Sequence, residues 1–345
     1  TPELANRYKN LPPIKLDHIQ ALTDDFGIFQ FAHLHVPDPR YGYTLDDNTR
    51  ALLAMDGHYR KFRQSKVLPL MNRYLKFIRA AAVGDGNFHN YFTANRTVDT
   101  TTEMRDSLED ANARCLFALM TVAGSKSLPK YLRAQAQKLC QPGFSNVFMS
   151  PRSAAFYIKA LYSLRKQAGA REAIIKHCDF LLYRYQQSRT ENWHWFERQL
   201  TYSNALLPEA LLLGFLATGK KQYFTIGKNA LDFLISQTFI DGMYMAIGQD
   251  GWFEQGGKKA EFDQQPEDPA AMVQALKTMY SITKQKKYDE LMHSAFYWFL
   301  GDNVLGQFVY DTVTGGSYDG ISHKNTNLNQ GAESTLSYLL ARLSL

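Results

Sequence analysis

Acidic residues begin or precede six segments that are rich in small apolar residues. These acids are Asp46, Asp47, Glu109, Asp110, Glu197, Glu209, Asp263, Glu267, Asp268, Asp319 and Glu333. Carboxylates bind hydroxyl groups and work in pairs as general acid and general base. Asp47 and Asp110 also lie three residues after Thr44 and Ser107, the spacing of a helix capping box. Several of these acids therefore have a structural explanation as well as a chemical one.

Aromatic residues occur among these acids, namely Phe92, Trp193, Trp195, Tyr202, Trp252, Tyr310 and Tyr318. Each aromatic alone also suits core packing, but aromatic faces next to carboxylates around one opening predict a carbohydrate site. We expect Trp193, Trp195 or Trp252 to offer an exposed stacking ring. The predicted substrate-binding residues are Asp46, Asp47, Asn48, Trp193, Trp195, Tyr202, Trp252, Gln264, Tyr318, Asp319 and Glu333.

Glu197 and Asp263 are the predicted catalytic pair, because neither is needed to cap a helix. Glu197 follows two aromatic residues, which would partly exclude water from its carboxyl group, as a general acid requires. Asp263 lies three residues before Pro266 and is followed by two glutamines, surroundings that suit a general base. We expect Asp46, Asp47, Glu197, Asp263 and Glu333 to share one cleft.

Two sets of helices are predicted to position these residues. The first set is rich in alanine, leucine and small residues, which suit helices packed closely on all sides: Asp46–Met55, Glu109–Met120, Pro151–Leu164, Ser203–Thr218, Pro266–Ile282 and Gln330–Leu343. The second set is more amphipathic and should face solvent: Tyr59–Ala82, Lys130–Cys140, Arg171–Gln187, Lys221–Thr238 and Lys287–Leu300, with Ile14–Leu22 as its sixth member.

This alternation predicts an all-α fold, a closed six-hairpin α/α toroid formed by residues 1–345 as one domain. An open α-solenoid is the alternative, but the uneven spacing of the blocks disfavours it. Connections from outer to inner helices are mostly long: Val83–Leu108, Ser188–Tyr202, Phe239–Gln265 and Gly301–Asn329. They should gather at the N-terminal ends of the inner helices and carry function. Short β-hairpins are predicted in them at Asn87–Tyr91, Trp193–Glu197 and Gln307–Tyr310.

Composition excludes several classes of protein. The net charge is +6, but the lysines lie in short clusters that form no basic arm, so we predict no nucleic-acid partner. The longest apolar run, Ala210–Ala217, is far below the roughly 20 residues of a membrane span, so no membrane partner is predicted. Phosphate-binding GK[ST] loops, HExxH and GxSxG are absent from the sequence.

The three cysteines, Cys115, Cys140 and Cys178, lie in apolar segments and are predicted to be buried free thiols. Their spacing and that of the nine histidines fit no metal motif, and we predict neither a metal nor a cofactor. No leader sequence is visible, which favours the cytoplasm. A periplasmic location is expected if a leader preceded Thr1.

Several short sequence motifs resemble those of a known group of proteins. They are Asp25–Gln30, Gly42–Ala51, Trp195–Glu197, Leu200–Tyr202, Asn204–Ala205, Leu207–Ala210, Phe262–Pro266, Gly315–Gly320 and Asn327–Thr335. Through almost its whole length the chain resembles the six-hairpin glycosidase superfamily. Most closely it resembles the all-α domain attached C-terminally to some bacterial group 1 glycosyltransferases. Ser203 departs from the pattern, because an acid is expected at that position.

The resemblance implies an α/α toroid and glycan chemistry, with mannosides as one substrate class and a glycosyltransferase as one partner. Three functions stay open. The first is an inverting glycoside hydrolase that acts on an oligosaccharide through a carboxylate pair. The second is a non-catalytic glycan-binding or accessory domain. The third is a sugar epimerase, which would need two facing histidines as acid and base.

Overall fold

Six inner helices form a closed ring in the computed structural model, which describes residues 11–141 and 145–345. They are α2 (Leu45–Phe62), α5 (Glu109–Gly124), α7 (Pro151–Ser163), α9 (Leu206–Thr218), α11 (Glu267–Thr283) and α13 (Ala332–Ser344). Each inner helix packs against the next, and α13 packs against α2. The predicted toroid is confirmed, since closure of the ring distinguishes it from an open solenoid.

The outer helices pack on the outside of this ring, each against the inner helix that precedes it. They are α3 (Leu68–Ala81), α6 (Lys130–Cys140), α8 (Ala170–Ser188), α10 (Lys221–Thr238) and α12 (Lys286–Tyr297). The short helix α1 (Asp17–Ala21) contacts α13, as expected for the N-terminal segment. Shorter helical segments in the described part of the chain include α4 (Thr100–Glu103) and the 3₁₀ turns Pro39–Tyr41 and Ser65–Val67.

The first inner helix is longer than its sequence indicates. The sequence predicts that this inner helix ends at Met55 and that the next helix begins at Tyr59, but α2 continues to Phe62 and ends where Arg63 adopts a left-handed conformation. Asp56 explains the difference, because its buried carboxylate accepts a hydrogen bond from the Ser125 hydroxyl at 2.7 Å and pairs with Arg60 at 2.9 Å. The polar residue thus serves a buried contact rather than a loop.

Short antiparallel strand pairs form in the loops that connect the helices. The pairs are Ala32–His33 with Val36–Pro37, Tyr43–Thr44 with Tyr91–Phe92, Ala82–Gly84 with Asn87–Phe88, Gln199–Leu200 with Phe253–Glu254, Phe239–Ile240 with Met243–Tyr244, and Gly320–Ile321 with Thr326–Asn327. We number these strands β1 to β12 in chain order. The prediction for Trp193–Glu197 is wrong, because this segment forms turns and the strand begins after it. Gln307–Tyr310 contributes only isolated bridges.

The core lies between the inner and outer helices and contains Cys115, Cys140 and Cys178 as buried free thiols, as predicted. Thr44 caps α2 in the predicted manner: its hydroxyl accepts from the Asp47 N–H at 3.0 Å and donates to the Asp47 carboxylate at 2.6 Å. Within residues 11–141 and 145–345, no helix has the length and apolarity needed to cross a bilayer.

Gly42 provides a test of the strand pair that leads into α2. Its φ is +66°, and a Cβ atom there would lie 1.9 Å from the Phe92 carbonyl oxygen. We expect Gly42→Ala to lower the free energy of unfolding by about 2–4 kcal/mol, since left-handed strain and overpacking combine. Gly219→Ala is the control, because Gly219 has φ +75° with nothing within 4 Å of the added atom. Urea denaturation of both variants measures the difference, and equal losses would contradict the predicted clash.

Candidate active site

One guanidinium group gathers four carboxylates at the mouth of the ring. Arg50, from α2, contacts Asp46 at 2.7 Å and Asp47 at 3.4 Å on its own helix. It also contacts Glu267 of α11 at 3.0 Å and Glu333 of α13 at 2.7 Å. Because these acids lie in the first turns of three helices, the contacts place the N-terminal ends of those helices at the same end of the toroid. The Arg50 side chain is only 4% exposed.

A second arginine joins this group from α5. Arg114 pairs with Asp46 at 2.5 Å and with Glu267 at 3.0 Å, and its guanidinium lies 4.3 Å from the centre of the Phe156 ring. Two guanidinium groups therefore face four carboxyl groups. If all four carboxyls were ionised the cluster would carry an excess negative charge, which opposes ionisation of all four at once.

The environments of these carboxyls separate their pKa values. Enclosure by the cavity walls raises the pKa of Glu333 to about 7; Arg50 opposes this shift and the nearby Glu267 adds to it. Burial alone would raise the pKa of Glu267 too, but Arg50 and Arg114 outweigh it and bring that pKa to about 2. Burial raises the pKa of Asp47 to about 6. A carboxyl that keeps its proton near neutrality thus lies beside an ionised carboxylate, as acid–base catalysis requires.

These carboxyls border a cavity of about 410 Å³ that opens at the mouth. Its walls include Phe31, Asp46, Asp47, Tyr91, Asp319 and Glu333. The volume falls in the range of about 300–1,000 Å³ usual for small-molecule sites. The Glu333 side chain is 41% exposed into this space, so a ligand can reach it. Among the described residues that line the cavity, none is a histidine.

Asp319 enters the same cavity from the loop before α13. Its Oδ1 accepts a hydrogen bond from the Gly331 N–H at 2.8 Å, and burial raises its pKa to about 6. A Cβ atom at Gly331 would lie 3.0 Å from this oxygen and 3.3 Å from the Gln30 carbonyl oxygen. Glycine at this position therefore lets the start of α13 approach Asp319 closely.

A buried ion pair lies deeper in the ring. Lys159 of α7 contacts Glu209 of α9 at 2.6 Å, and both side chains are 7% exposed. Thr278 and Gln274 of α11 complete the hydrogen bonds of the pair. These hydrogen bonds satisfy the polar atoms of the pair, as a buried ion pair requires to stay intact. The four residues therefore form a rigid layer beneath Arg50 and Arg114.

Glu197 lies on a neighbouring cavity of about 380 Å³ rather than among the Arg50 carboxyls. Its carboxylate accepts a hydrogen bond from Arg152 of α7 at 2.8 Å. The Arg152 guanidinium also lies 4.6 Å from the centre of the Tyr202 ring, and the Tyr202 hydroxyl donates to Asp110 at 2.6 Å. The predicted site residue Tyr202 thus links Arg152 to the start of α5.

Asp263 is exposed in the loop before α11 and lines neither of these two cavities. The structure brings together Asp46, Asp47 and Glu333 of the five acids expected in one cleft, and adds Asp319 to them. The assignment of Glu197 and Asp263 as the catalytic pair stays a prediction.

Two of the predicted stacking tryptophans are core residues. Trp193 and Trp195 are 4% and 0% exposed, so neither ring can face a sugar. The Trp193 indole donates to the Glu197 carbonyl oxygen at 2.7 Å, and its ring packs edge-on against Phe233. Trp252 is partly buried, with its ring centre 6.4 Å from that of Tyr202. The prediction of an exposed ring is therefore wrong for Trp193 and Trp195, which stabilise the loop by packing.

Two polar residues that were predicted to bind substrate form hydrogen bonds inside the protein instead. Asn48 is fully buried, and its side-chain amide bonds the Ile28 N–H at 3.1 Å and the Thr44 carbonyl oxygen at 2.8 Å. Gln264 is fully buried as well, and its Oε1 accepts from the Trp298 indole at 2.9 Å. Both amides fix loops at the mouth instead of binding a ligand. Tyr318 is partly buried against the core.

The arginines of the site were missed by sequence reasoning. Arg50, Arg114 and Arg152 each lie in the first two turns of an inner helix whose other residues are mostly small or apolar. A basic residue in a segment predicted to be packed on all sides needs a buried partner. That signal, present in three inner segments, would have indicated a charged ring interior.

No protein-family model matches the chain, and no curated protein matches it by sequence. Solved structures do match. Cellobiose 2-epimerase from Bacillus thermoamylovorans has a TM-score of 0.72 and 12% identity, with 99% of this chain and 97% of that chain covered. A D-mannose isomerase has a TM-score of 0.71 and 11% identity, with 95% and 94% covered.

A third match is an inactive variant of the GH76A α-1,6-mannanase of Salegentibacter in complex with α-1,6-mannotetrose. In it two consecutive aspartates are replaced by alanine. Its TM-score is 0.64 at 11% identity, with 99% of this chain and 97% of that chain covered. At these identities the likeness concerns the fold. The chain has the six-hairpin α/α toroid fold that these epimerase, isomerase and mannanase structures share.

Proposed function

We propose that this protein is a glycoside hydrolase that cleaves an oligosaccharide by acid–base catalysis with inversion. The observation that carries the proposal is the cavity at the mouth, where Glu333, with a pKa raised to about 7, lies beside carboxylates held by Arg50 and Arg114. Two carboxyl groups with separated protonation states are the minimal equipment for cleavage of a glycosidic bond.

In this proposal Glu333 is the general acid that protonates the leaving oxygen. Asp46 is the general base, because it lines the same cavity and two guanidinium groups hold it in place. Asp46 contacts Nη1 and Glu333 contacts Nη2 of the same Arg50 guanidinium, each at 2.7 Å. Inversion needs about 6.5–9.5 Å between the two carboxyl groups to admit a water molecule.

The similarity to the mannanase supports a role in catalysis for acidic residues that are consecutive in sequence. That enzyme is inactive when two consecutive aspartates are replaced, and it binds an α-1,6-linked mannose tetramer. This chain has consecutive acids at the starts of three inner helices: Asp46–Asp47, Glu109–Asp110 and Glu267–Asp268. The first and third pairs contact Arg50 through Asp46, Asp47 and Glu267. An α-mannoside is therefore the first substrate class to test.

A sugar epimerase is the second candidate, because an epimerase and an isomerase share the fold with TM-scores above 0.7. The two facing histidines expected for that chemistry do not occur among the described residues that line the mouth cavity. His18 is buried, and its Nε2 bonds the Gln330 carbonyl oxygen at 2.8 Å. This favours the hydrolase. An accessory glycan-binding role beside a glycosyltransferase is the non-catalytic alternative.

An assay of reducing ends tests this proposal. Incubation with α-1,6-mannotetraose, other manno-oligosaccharides and gluco-oligosaccharides is expected to release new reducing ends with at least one substrate. The same assay on Glu197→Gln and Asp263→Asn tests the pair predicted from the sequence, since loss of turnover by at least about a hundredfold would assign catalysis to them. Binding of a sugar without release of reducing ends would instead support the accessory role.

A further inference from the structure

Two exposed aromatic rings lie at the rim of the mouth cavity, in a segment that contains no predicted site residue. Phe31 lines the cavity and is 40% exposed, and Tyr41 is 58% exposed. Their ring centres are 5.1 Å apart in an edge-to-face arrangement. Phe31 precedes β1, and Tyr41 ends the 3₁₀ turn after β2. Adjoining exposed aromatic rings beside a polar cavity are typical of a ligand-binding surface.

The backbone around Phe31 is fixed to both helices that supply the proposed acid and base. The Gln30 N–H donates to the Gly42 carbonyl oxygen at 3.1 Å, shortly before α2 and Asp46. The Gln30 carbonyl oxygen accepts from the Ala332 N–H at 3.0 Å, one residue before Glu333. The Phe31 carbonyl oxygen accepts from the Asp38 N–H at 2.9 Å, which closes the hairpin. The backbone from which the Phe31 ring projects is therefore held in place relative to the helices that carry Asp46 and Glu333.

We infer that Phe31, extended outward by Tyr41, is the stacking surface for a sugar unit of an oligosaccharide. This rests on the proposed function. The sugar unit stacked on Phe31 adjoins the sugar unit bound among the carboxyl groups. Tyr41 contacts the part of the oligosaccharide that lies further from the cavity. Sugar rings have apolar C–H faces that pack on aromatic rings, while the carboxyl side of the cavity meets their hydroxyl groups. The substrate class that follows is an oligosaccharide rather than a monosaccharide.

Calorimetric titration tests this inference. The probes are α-1,6-mannotetraose and cellotetraose with mannose and glucose as their monosaccharides, and Glu333→Gln serves as the background to prevent turnover. We expect at least one tetrasaccharide to bind more tightly than its monosaccharide. Adding Phe31→Ala to the Glu333→Gln background should weaken binding of that tetrasaccharide roughly tenfold. It should change the affinity for the monosaccharide little. Added Phe31→Trp should retain most of the affinity.

Phe62→Ala is the matched control, because Phe62 is also 40% exposed but lies at the opposite end of α2. Thermal melting of every variant verifies that it is folded. Unchanged tetrasaccharide affinity in Phe31→Ala would overturn the stacking role while leaving the proposed hydrolase intact. If no probe bound the background protein but the wild type released reducing ends, this inference would fail alone. If neither occurred, the proposed function would fail with it.

Discussion

Replacing Arg50 by methionine is expected to lower the free energy of unfolding at pH 7 by about 3–5 kcal/mol, the cost of breaking a buried charge pair. Arg50 contacts Asp46, Asp47, Glu267 and Glu333 and is 4% exposed. Without it, Arg114 still pairs with Asp46 and Glu267, whereas Asp47 and Glu333 lose the pairing that Arg50 gives them. The mutual repulsion of the carboxylates would then oppose folding.

The pH dependence of this loss has a definite sign. Burial already raises the pKa values of Asp47 and Glu333, and Arg50 opposes both shifts, so without this cation the two carboxyls hold their protons still more strongly in the folded state than in the unfolded state. Such groups lower stability as pH rises, because the unfolded chain ionises first. The Arg50→Met penalty should therefore be larger at pH 8 than at pH 5, as measured by urea denaturation at both values. Lys286→Met is the control, because Lys286 and Glu290 form a surface pair whose side chains are 86% and 55% exposed, and little change is expected. Equal losses in the two variants would contradict the buried cluster.

Replacing Glu333 by glutamine is expected to lower turnover by about 10²–10⁴-fold on whichever oligosaccharide is cleaved, the range for loss of an acid–base group. The wild-type rate should fall as pH rises above about 7, since Glu333 then loses the proton that the leaving group needs. Initial rates across pH 4–9 measure both effects. Glu172→Gln, an exposed first-turn glutamate on α8, is the control and should leave the profile unchanged.

The same substitution should stabilise the protein above neutrality. The pKa of Glu333 is raised in the folded state from 4.5 to about 7. Below about pH 4 the group is protonated in both states and contributes nothing; between about pH 4.5 and 7 the unfolded chain ionises first, and stability falls. The Tm of Glu333→Gln should therefore exceed that of the wild type at pH 8 and approach it at pH 4. A lower Tm at pH 8 would show that Glu333 stabilises the cluster and would contradict its assignment as a protonated acid.

The helical architecture could be predicted because its signals are local. The bounds of α6 and α10 match the predicted Lys130–Cys140 and Lys221–Thr238, since amphipathic periodicity and turn residues mark both ends. The capping box at Thr44 and Asp47 is equally local. The extension of α2 to Phe62 could not be predicted, because Asp56 and Arg60 are polar in sequence and Ser125, which donates to the Asp56 carboxylate, lies on another hairpin.

The site could be predicted only in part. Asp46, Asp47, Asp319 and Glu333 were identified because acids at helix starts gather when a ring closes. Trp193 and Trp195 were misassigned, because an aromatic residue in a loop has the same sequence pattern whether its ring faces a ligand or the core. Phe31 was overlooked for the converse reason: only the hairpin and its hydrogen bonds to Gly42 and Ala332 place that ring at the cavity.

The most direct test of the central claim, that the carboxyls at the mouth hydrolyse a glycosidic bond, is proton NMR of an oligosaccharide during incubation with the enzyme. The anomeric signals report both the bond cleaved and the configuration of the new reducing end. We predict loss of the interglycosidic signal and initial release of the inverted anomer, and neither with Glu333→Gln. An intact interglycosidic signal together with a reducing-end sugar epimerised at C2 would contradict the account and identify the protein as an epimerase.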